Sequence, residues 1–226
     1  MKALALALLC GLGAGLAQEP ARVTFQLERA GLDVPRYTIS LDEQGNATYH
    51  AELAAPKSQP TTLPGEPAEP SAPSPAIDRK IVLSAATTAS IFAQARGLDR
   101  FHTACESRAK NVADMGKKTL TYAGPDGSGS CTYNYSDLRQ LTELTDTFQA
   151  VQATLEMGRQ MDFKHRFDRL GLDAVMISLS NMLDTHQATE VGTIAPTLRA
   201  IASDTELMQR VRLRAAKMLE QAAASR

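Results

Sequence analysis

The chain lacks an excess of charge of either sign, and after its first residues it lacks any long hydrophobic run. Its 24 lysine and arginine residues balance 25 aspartate and glutamate residues. Nucleic-acid-binding proteins usually carry a clear basic excess, because neutralisation of phosphates supplies most of their affinity. A membrane-spanning helix needs about 20 apolar residues, and no such run follows residue 17. We therefore expect neither a nucleic-acid partner nor a membrane span in the mature chain.

Recognisable catalytic motifs are also missing. The sequence has no GxxxxGK phosphate loop, no GxSxG nucleophile turn and no HExxH metal motif. Its four histidines stand singly, and no two of them have the spacing of metal ligands: His50, His102, His165 and His186. We expect no metal, no cofactor and no catalytic residue, and we interpret each histidine as a surface or capped side chain.

Cysteine is scarce, with three in the whole chain, and the first lies in a segment of a different kind. Residues 1–17 combine one lysine, an apolar run and small residues at the exit. This pattern is typical of a signal peptide cleaved after Ala17, and it is too short and glycine-rich for a membrane span. Lipidation at Cys10 is the alternative, but lipoprotein leaders carry a small residue where this chain has Leu9. We expect an exported, soluble protein of the periplasm or the medium.

Export would place the two remaining cysteines, Cys105 and Cys131, in an oxidising environment. The simplest prediction is a disulfide bond between them, which would stabilise the fold by about 3 to 4 kcal/mol in the chain-entropy picture. Two free buried thiols are the alternative.

A proline-rich segment interrupts the first half of the chain. Seven of the 11 prolines lie between Pro56 and Pro75, and Leu63 is the one large apolar residue among them. This composition predicts a disordered or extended segment at about residues 56–76. The segment before it is too short to fold alone, since domains below about 40 residues usually need staples. We therefore predict an excursion within one sheet rather than a linker between domains.

Strands are predicted on both sides of this segment. Residues 23–27, 37–41 and 47–51 each alternate apolar with polar side chains, which is the pattern of a half-buried strand. The turn at 42–46 joins the last two in a hairpin. After the proline-rich segment, residues 80–83 predict another short strand.

A helix and a second hairpin follow. Ser84 is a typical N-cap, and the helix it begins is predicted to run to Arg96 and to end at Gly97. Further on, a glycine-rich turn at 124–130 lies between two alternating runs, which predicts a hairpin that continues to Tyr135.

From residue 137 onward the apolar period becomes helical. Four helices are predicted: a long one capped by Asp137, a second at about 173–185, a third at about 190–203, and a last one capped by Asp204. In the third helix, Pro196 requires a start near residue 193 or a kink.

The predicted fold class is α+β, with an antiparallel sheet of about five to six strands and one helix, followed by a C-terminal all-helical region. The chain is thereby divided into a signal peptide at 1–17, a β-rich domain at 18–136 and a helical region at 137–226.

Two stretches resemble known families. Residues 35–49 match P-x-Y-x-(I/V)-x-(I/L)-x-x-x-G-x-x-x-Y and resemble a family of uncharacterised bacterial envelope proteins over about the first 155 residues. That resemblance implies location and fold and no chemistry. Val211, Arg212, Ala215 and Leu219 are similar to the pattern of one HEAT repeat. Since three clear copies are absent from the sequence, we expect a compact bundle or a partial array rather than a solenoid.

The candidate binding residues lie in the polar stretch 106–119, which the predicted disulfide would hold against the sheet. They are Arg108, Lys110, Asn111, Lys117 and Lys118. A clamped basic loop is suited to a carboxylate, a phosphate or an acidic glycan. The alternative is a solvated loop and a sheet edge protected by lysines.

Three classes of function remain open. The first is an envelope binding or interaction protein whose partner is a protein or an anionic small ligand. The second is a secreted inhibitor of a hydrolase, and the third is an enzyme with an unrecognised site. Tyr133 and Tyr135 also fit a carbohydrate platform, although alternate tyrosines on a strand are more often packing residues. We expect a binding protein rather than an enzyme.

Overall fold

The computed structural model describes residues 19–54 and 75–224. Within them, six strands form one antiparallel sheet: β1 (Arg22–Glu28), β2 (Arg36–Asp42), β3 (Asn46–Glu52), β4 (Ala76–Val82), β5 (Lys117–Gly124) and β6 (Gly127–Tyr133). Their order across the sheet is β4-β3-β2-β1-β5-β6. The predicted signal peptide and the proline-rich residues 56–74 lie outside the described residues.

The strands on either side of the proline-rich segment are neighbours in the sheet. Glu52 at the end of β3 is opposite Ala76 at the start of β4. The prediction that the chain leaves and re-enters one sheet is therefore confirmed. β4 begins four residues earlier than predicted, because Arg79 takes an inward position and breaks the apolar alternation by which the strand was recognised.

One face of the sheet is buried and the other faces solvent. Inward positions such as Val23, Phe25 and Ile39 are fully buried, while the residues between them are partly exposed. Both predicted hairpins form, and the β5–β6 turn is shorter than predicted, with only residues 125–126 between the strands. β6 ends at Tyr133, so Tyr135 is not part of the strand.

Five helices lie among the described residues, and four of them follow the sheet in sequence. They are α1 (Ala85–Gly97), α2 (Arg139–Phe167), α3 (Leu172–Asp184), α4 (Ala195–Ser203) and α5 (Gln209–Ala224). Short 3-10 turns at Asp99–Phe101 and Val191–Ile194 precede β5 and α4. The predicted α+β class with a C-terminal helical region is confirmed. The backbone N–H of Thr87 donates to the Ser84 hydroxyl at 3.3 Å, so the predicted cap of α1 is also confirmed.

Two predicted N-caps, Asp137 and Asp204, are wrong, and the third predicted helix begins closer to its proline, near the alternative start at residue 193. Asp137 does not cap α2, since its carboxylate accepts a hydrogen bond from the Ser107 hydroxyl. Asp204 accepts from the N–H of Glu206, and α5 begins only at Gln209. Glu190 has a left-handed backbone with φ 55°. The third predicted helix is accordingly a 3-10 turn followed by α4, and its proline lies in the first turn, where a missing N–H is tolerated.

A single cluster of buried apolar residues includes side chains of both the sheet and the helices. α2 links the two parts, since Phe148 stacks on Phe25 of β1 with ring centroids 5.1 Å apart, and Met161 is buried further along the same helix. The division at 136/137 stays a prediction. No helix in the described ranges has both the length and the apolar character needed to cross a membrane.

Candidate functional site

The predicted partners Cys105 and Cys131 lie together at the start of the loop between α1 and β5. Their sulfur atoms are 2.01 Å apart, which is the distance of a disulfide bond. Cys131 belongs to β6, so the pair ties the beginning of the loop to the sheet. Cys105 is buried, with 4% of its surface exposed.

Lys118 anchors the other end of this loop and is not available to a ligand. Its side chain is buried, and its ammonium donates to the carbonyl oxygens of Met115, Gly116 and Asn134 at 3.1, 3.2 and 2.7 Å. Burial away from water, assisted by the positive charge of Arg29, lowers the pKa of Lys118. The predicted binding set is therefore reduced to four residues, because three carbonyls already surround this cation.

Asn134, just after β6, holds the middle of the loop. Its side-chain oxygen accepts from the N–H of Met115 at 2.7 Å, and its side-chain nitrogen donates to the carbonyl of Ala113 at 3.0 Å. Its own N–H donates to the carboxylate of Glu106 at 2.7 Å. One asparagine thus joins three points of the loop to the end of β6.

The acidic and basic side chains of the loop are used differently. Both carboxylates satisfy backbone groups, since Asp114 accepts the N–H of Gly116 as Glu106 accepts that of Asn134. Within the described residues no ion pair or hydrogen bond engages the exposed side chains of Arg108, Lys110 and Lys117. The loop therefore presents cations to solvent while its anions are occupied. Asn111, at its tip, is exposed and has a left-handed backbone with φ 60°.

Apolar side chains accompany these cations, which sequence reasoning missed. Val112 and Met115 are 36% and 47% exposed, and Tyr135 is 43% exposed where the chain leaves β6. The possible signal was the presence of two apolar residues in an otherwise polar stretch. Tyr133 is instead buried against α2, where its hydroxyl bonds Thr145. The two tyrosines therefore do not form a carbohydrate platform.

A second candidate site is a groove between the start of α1 and the helices α3 and α5. Its volume is about 990 Å³, and its polar lining includes Ser84, Thr87, His186, Glu190 and Lys217. None of these residues was predicted as part of a site, because the groove joins segments about 100 residues apart in sequence and leaves no local pattern.

Glu190 is the organising residue of the groove. Its carboxylate accepts from the Ser84 N–H at 2.9 Å, from the Ser84 hydroxyl at 2.6 Å and from the Thr87 hydroxyl. A carboxylate is favourable at a helix N-terminus, where N–H groups and the helix dipole are positive. Ser84 and Thr87 therefore connect the start of α1 to Glu190 in the lining of the groove.

The remaining chemistry of the described residues is limited. No three histidine, cysteine or acidic side chains converge there on a possible metal site. A scan against models of known protein families finds none that matches the chain, and a search of curated proteins finds no match either. The two resemblances inferred from sequence therefore stay predictions.

Proposed function

We propose that this chain is an exported envelope protein that binds an anionic group of a partner through its disulfide-clamped loop, residues 106–116, together with Lys117. The ligand class is a carboxylate or phosphate borne by a protein, a glycan or a small molecule. A binding function is preferred to catalysis because the loop combines a fixed backbone with exposed cations.

The observation that carries this proposal is that the charged side chains of the loop differ in their partners. The carboxylates of Glu106 and Asp114 accept hydrogen bonds from backbone N–H groups, and the ammonium of Lys118 donates to carbonyl oxygens. Arg108, Lys110 and Lys117 are left exposed. An anion can therefore approach three cations without displacing an internal salt bridge, and the fixed backbone reduces the entropy lost on binding.

A hydrolase inhibitor is the second candidate, since a rigid exposed loop is also the device by which an inhibitor enters an active-site cleft. Val112 and Met115 would then be the contacts with that cleft. The two candidates differ in the partner, because an inhibitor requires a single hydrolase whose activity it abolishes. Recovery of such an enzyme from the envelope fraction would favour this second candidate.

The proposal is tested by titrating the mature chain with polygalacturonate and with polyphosphate, which present carboxylate and phosphate groups. We expect the double variant Lys110→Ser, Lys117→Ser to bind at least one of them roughly tenfold more weakly than the unmodified chain at low salt. The matched control Arg166→Ser, Arg199→Ser removes two exposed cations from α2 and α4 and should bind as before. Equal losses in both variants would show that only net charge matters and would contradict the loop as the site.

A further inference from the structure

β4 is an edge strand whose outer side is unpaired within the described residues. It pairs with β3 alone. Two backbone hydrogen bonds lie at the ends of the β3–β4 pairing. The N–H of Leu53 donates to the carbonyl oxygen of Pro75, and the N–H of Leu83 donates to that of Gly45. Pro75 and Leu83, the residues on the β4 side, both have odd numbers. Because bonded and unbonded positions alternate in an antiparallel ladder, the even residues of β4 direct their N–H and C=O groups away from the sheet.

The side chains at these even positions are exposed, and they include one negative and one positive charge. Asp78 has 80% of its side chain exposed, and Val82 is 64% exposed. Lys80 is exposed between them. The Asp78 carboxylate lies 2.8 Å from the Nδ1 atom of His50. The side chains of Asp78, Lys80 and Val82 make no other ion pair or hydrogen bond within the described residues.

α2 lies across the sheet, and its residues 163–167, which we call the α2 roof, extend past the unpaired edge of β4. The helix crosses the sheet from one edge to the other, since Thr145 contacts Tyr133 of β6, Phe148 stacks on β1, and Asp162 pairs with Arg79 of β4 at 3.7 Å. It then continues to Phe167. At 1.5 Å per residue, the part after Asp162 extends about 7.5 Å, which exceeds the spacing of about 4.8 Å between neighbouring strands.

The last part of α2 and the turn that follows it carry three exposed large apolar side chains. Phe163, Phe167 and Leu170 are 54%, 73% and 83% exposed, and the two phenylalanine rings are 5.1 Å apart. Exposed large apolar side chains that are adjacent to one another mark interaction sites more often than isolated ones do.

We propose that the β4 edge and the α2 roof bind an extended segment of a partner protein, which adds as a seventh, antiparallel strand. Backbone hydrogen bonds to the even residues of β4 would supply affinity, and alternate side chains would supply specificity. The inward side chains of the segment are apolar, because they lie beside Ile77 and Ile81 and beneath Phe163 and Phe167. Its outward side chains are a base opposite Asp78 and an acid opposite Lys80.

A second copy of this chain is the less suitable occupant. Pairing two β4 strands antiparallel would bring both α2 helices to the same face of the joined sheet. Each helix already extends past its own edge strand, so the two ends would compete for the same space. The occupant is therefore a segment without a helical layer of its own. This site is separate from the clamped loop, so either proposal can fail without the other.

The experiment uses two capped heptapeptides with the mature chain. The first, Thr-Val-Glu-Thr-Lys-Val-Thr, is complementary to β4 in antiparallel register, and the second exchanges its glutamate and lysine. We expect the unmodified chain to prefer the first peptide by about tenfold, since two cross-strand charge pairs change from attractive to repulsive. The variant Asp78→Lys, Lys80→Asp should prefer the second peptide by a similar factor, and Phe163→Ser, Phe167→Ser should weaken both.

Hydrogen exchange supplies a readout that non-specific adhesion would not reproduce. On binding, the amides of Asp78, Lys80 and Val82 should become protected, while that of Arg79, which faces β3, should not change. Leu213→Ser, which removes a 61% exposed apolar side chain from α5, is the matched control and should bind normally. Equal affinity for both peptides, protection elsewhere, or a β4-dependent dimer in light scattering would each overturn the proposal.

Discussion

The neighbouring lysines 117 and 118 show how strand geometry separates two identical side chains. Successive residues of β5 point to opposite faces, so Lys117 faces solvent while Lys118 shares the inward face with Leu120 and Tyr122. The sequence contained this information, because the same alternation that identified the strand places Lys118 inward. Grouping the two lysines by charge alone concealed it.

Replacement of Lys118 by methionine tests its structural role. Methionine is of similar length but donates no hydrogen bond, so three carbonyl oxygens at the base of the loop would lose their partner. We expect the free energy of unfolding in urea to fall by about 1 to 3 kcal/mol. Lys117→Met, on the exposed face, should change it by no more than about 0.5 kcal/mol. Equal effects of the two substitutions would contradict the assignment of Lys118 as an anchor.

At the scale of elements, the start of α1 is held by Glu190, which lies 106 residues after Ser84 in the sequence. Ser84 provides the local cap that its sequence predicts, and Glu190 adds a carboxylate from the turn before α4. The helix therefore depends on tertiary structure as well as on its own sequence. Ser84, Thr87 and Glu190 also belong to the lining of the groove.

Glu190→Gln should weaken this junction. An amide carries no negative charge to interact with the helix N-terminus, and its NH₂ group cannot accept from the Ser84 and Thr87 donors. We expect a loss of about 1 to 2 kcal/mol in the free energy of unfolding, measured by urea titration. Glu220→Gln, at an exposed position on α5, is the matched control. A variant as stable as the control would remove Glu190 from its assigned role.

Sequence reasoning succeeded where the determining interactions are local. The two hairpins, the cap at Ser84 and the stripe along α2 each follow from periodicity and turn chemistry within a few residues, although the second turn is shorter than the predicted 124–130. The same reasoning also located the clamped loop, because only two cysteines remain after the predicted leader. It failed at Asp137 and Glu190, whose partners Ser107 and Ser84 lie far away in sequence.

At the scale of the whole molecule, α2 belongs to two parts of the core. Its first half covers the sheet with buried Leu144, Phe148 and Val151. Its second half meets the 3-10 turn before α4 so closely that a Cβ atom at Gly158 would lie 2.5 Å from the Cγ2 atom of Ile194. The change from strands to helices at 136/137 therefore does not coincide with a break in packing.

The packing of α2 predicts that residues 18–136 do not fold cooperatively when α2 is removed. Without it, the inward face of β1, including Phe25, loses the apolar layer that buries it, and α1 alone is too short to replace a helix of 29 residues. The chain from residue 18 onward should unfold in urea in one transition that is superimposable by far-UV circular dichroism and tyrosine fluorescence. Fragment 18–136 should show no sigmoidal transition, whereas fragment 18–168, which restores α2, should regain one. A cooperative transition in the shorter fragment would instead establish the predicted boundary at 136/137 as a boundary between folding units, with α2 docked on a sheet that is already stable.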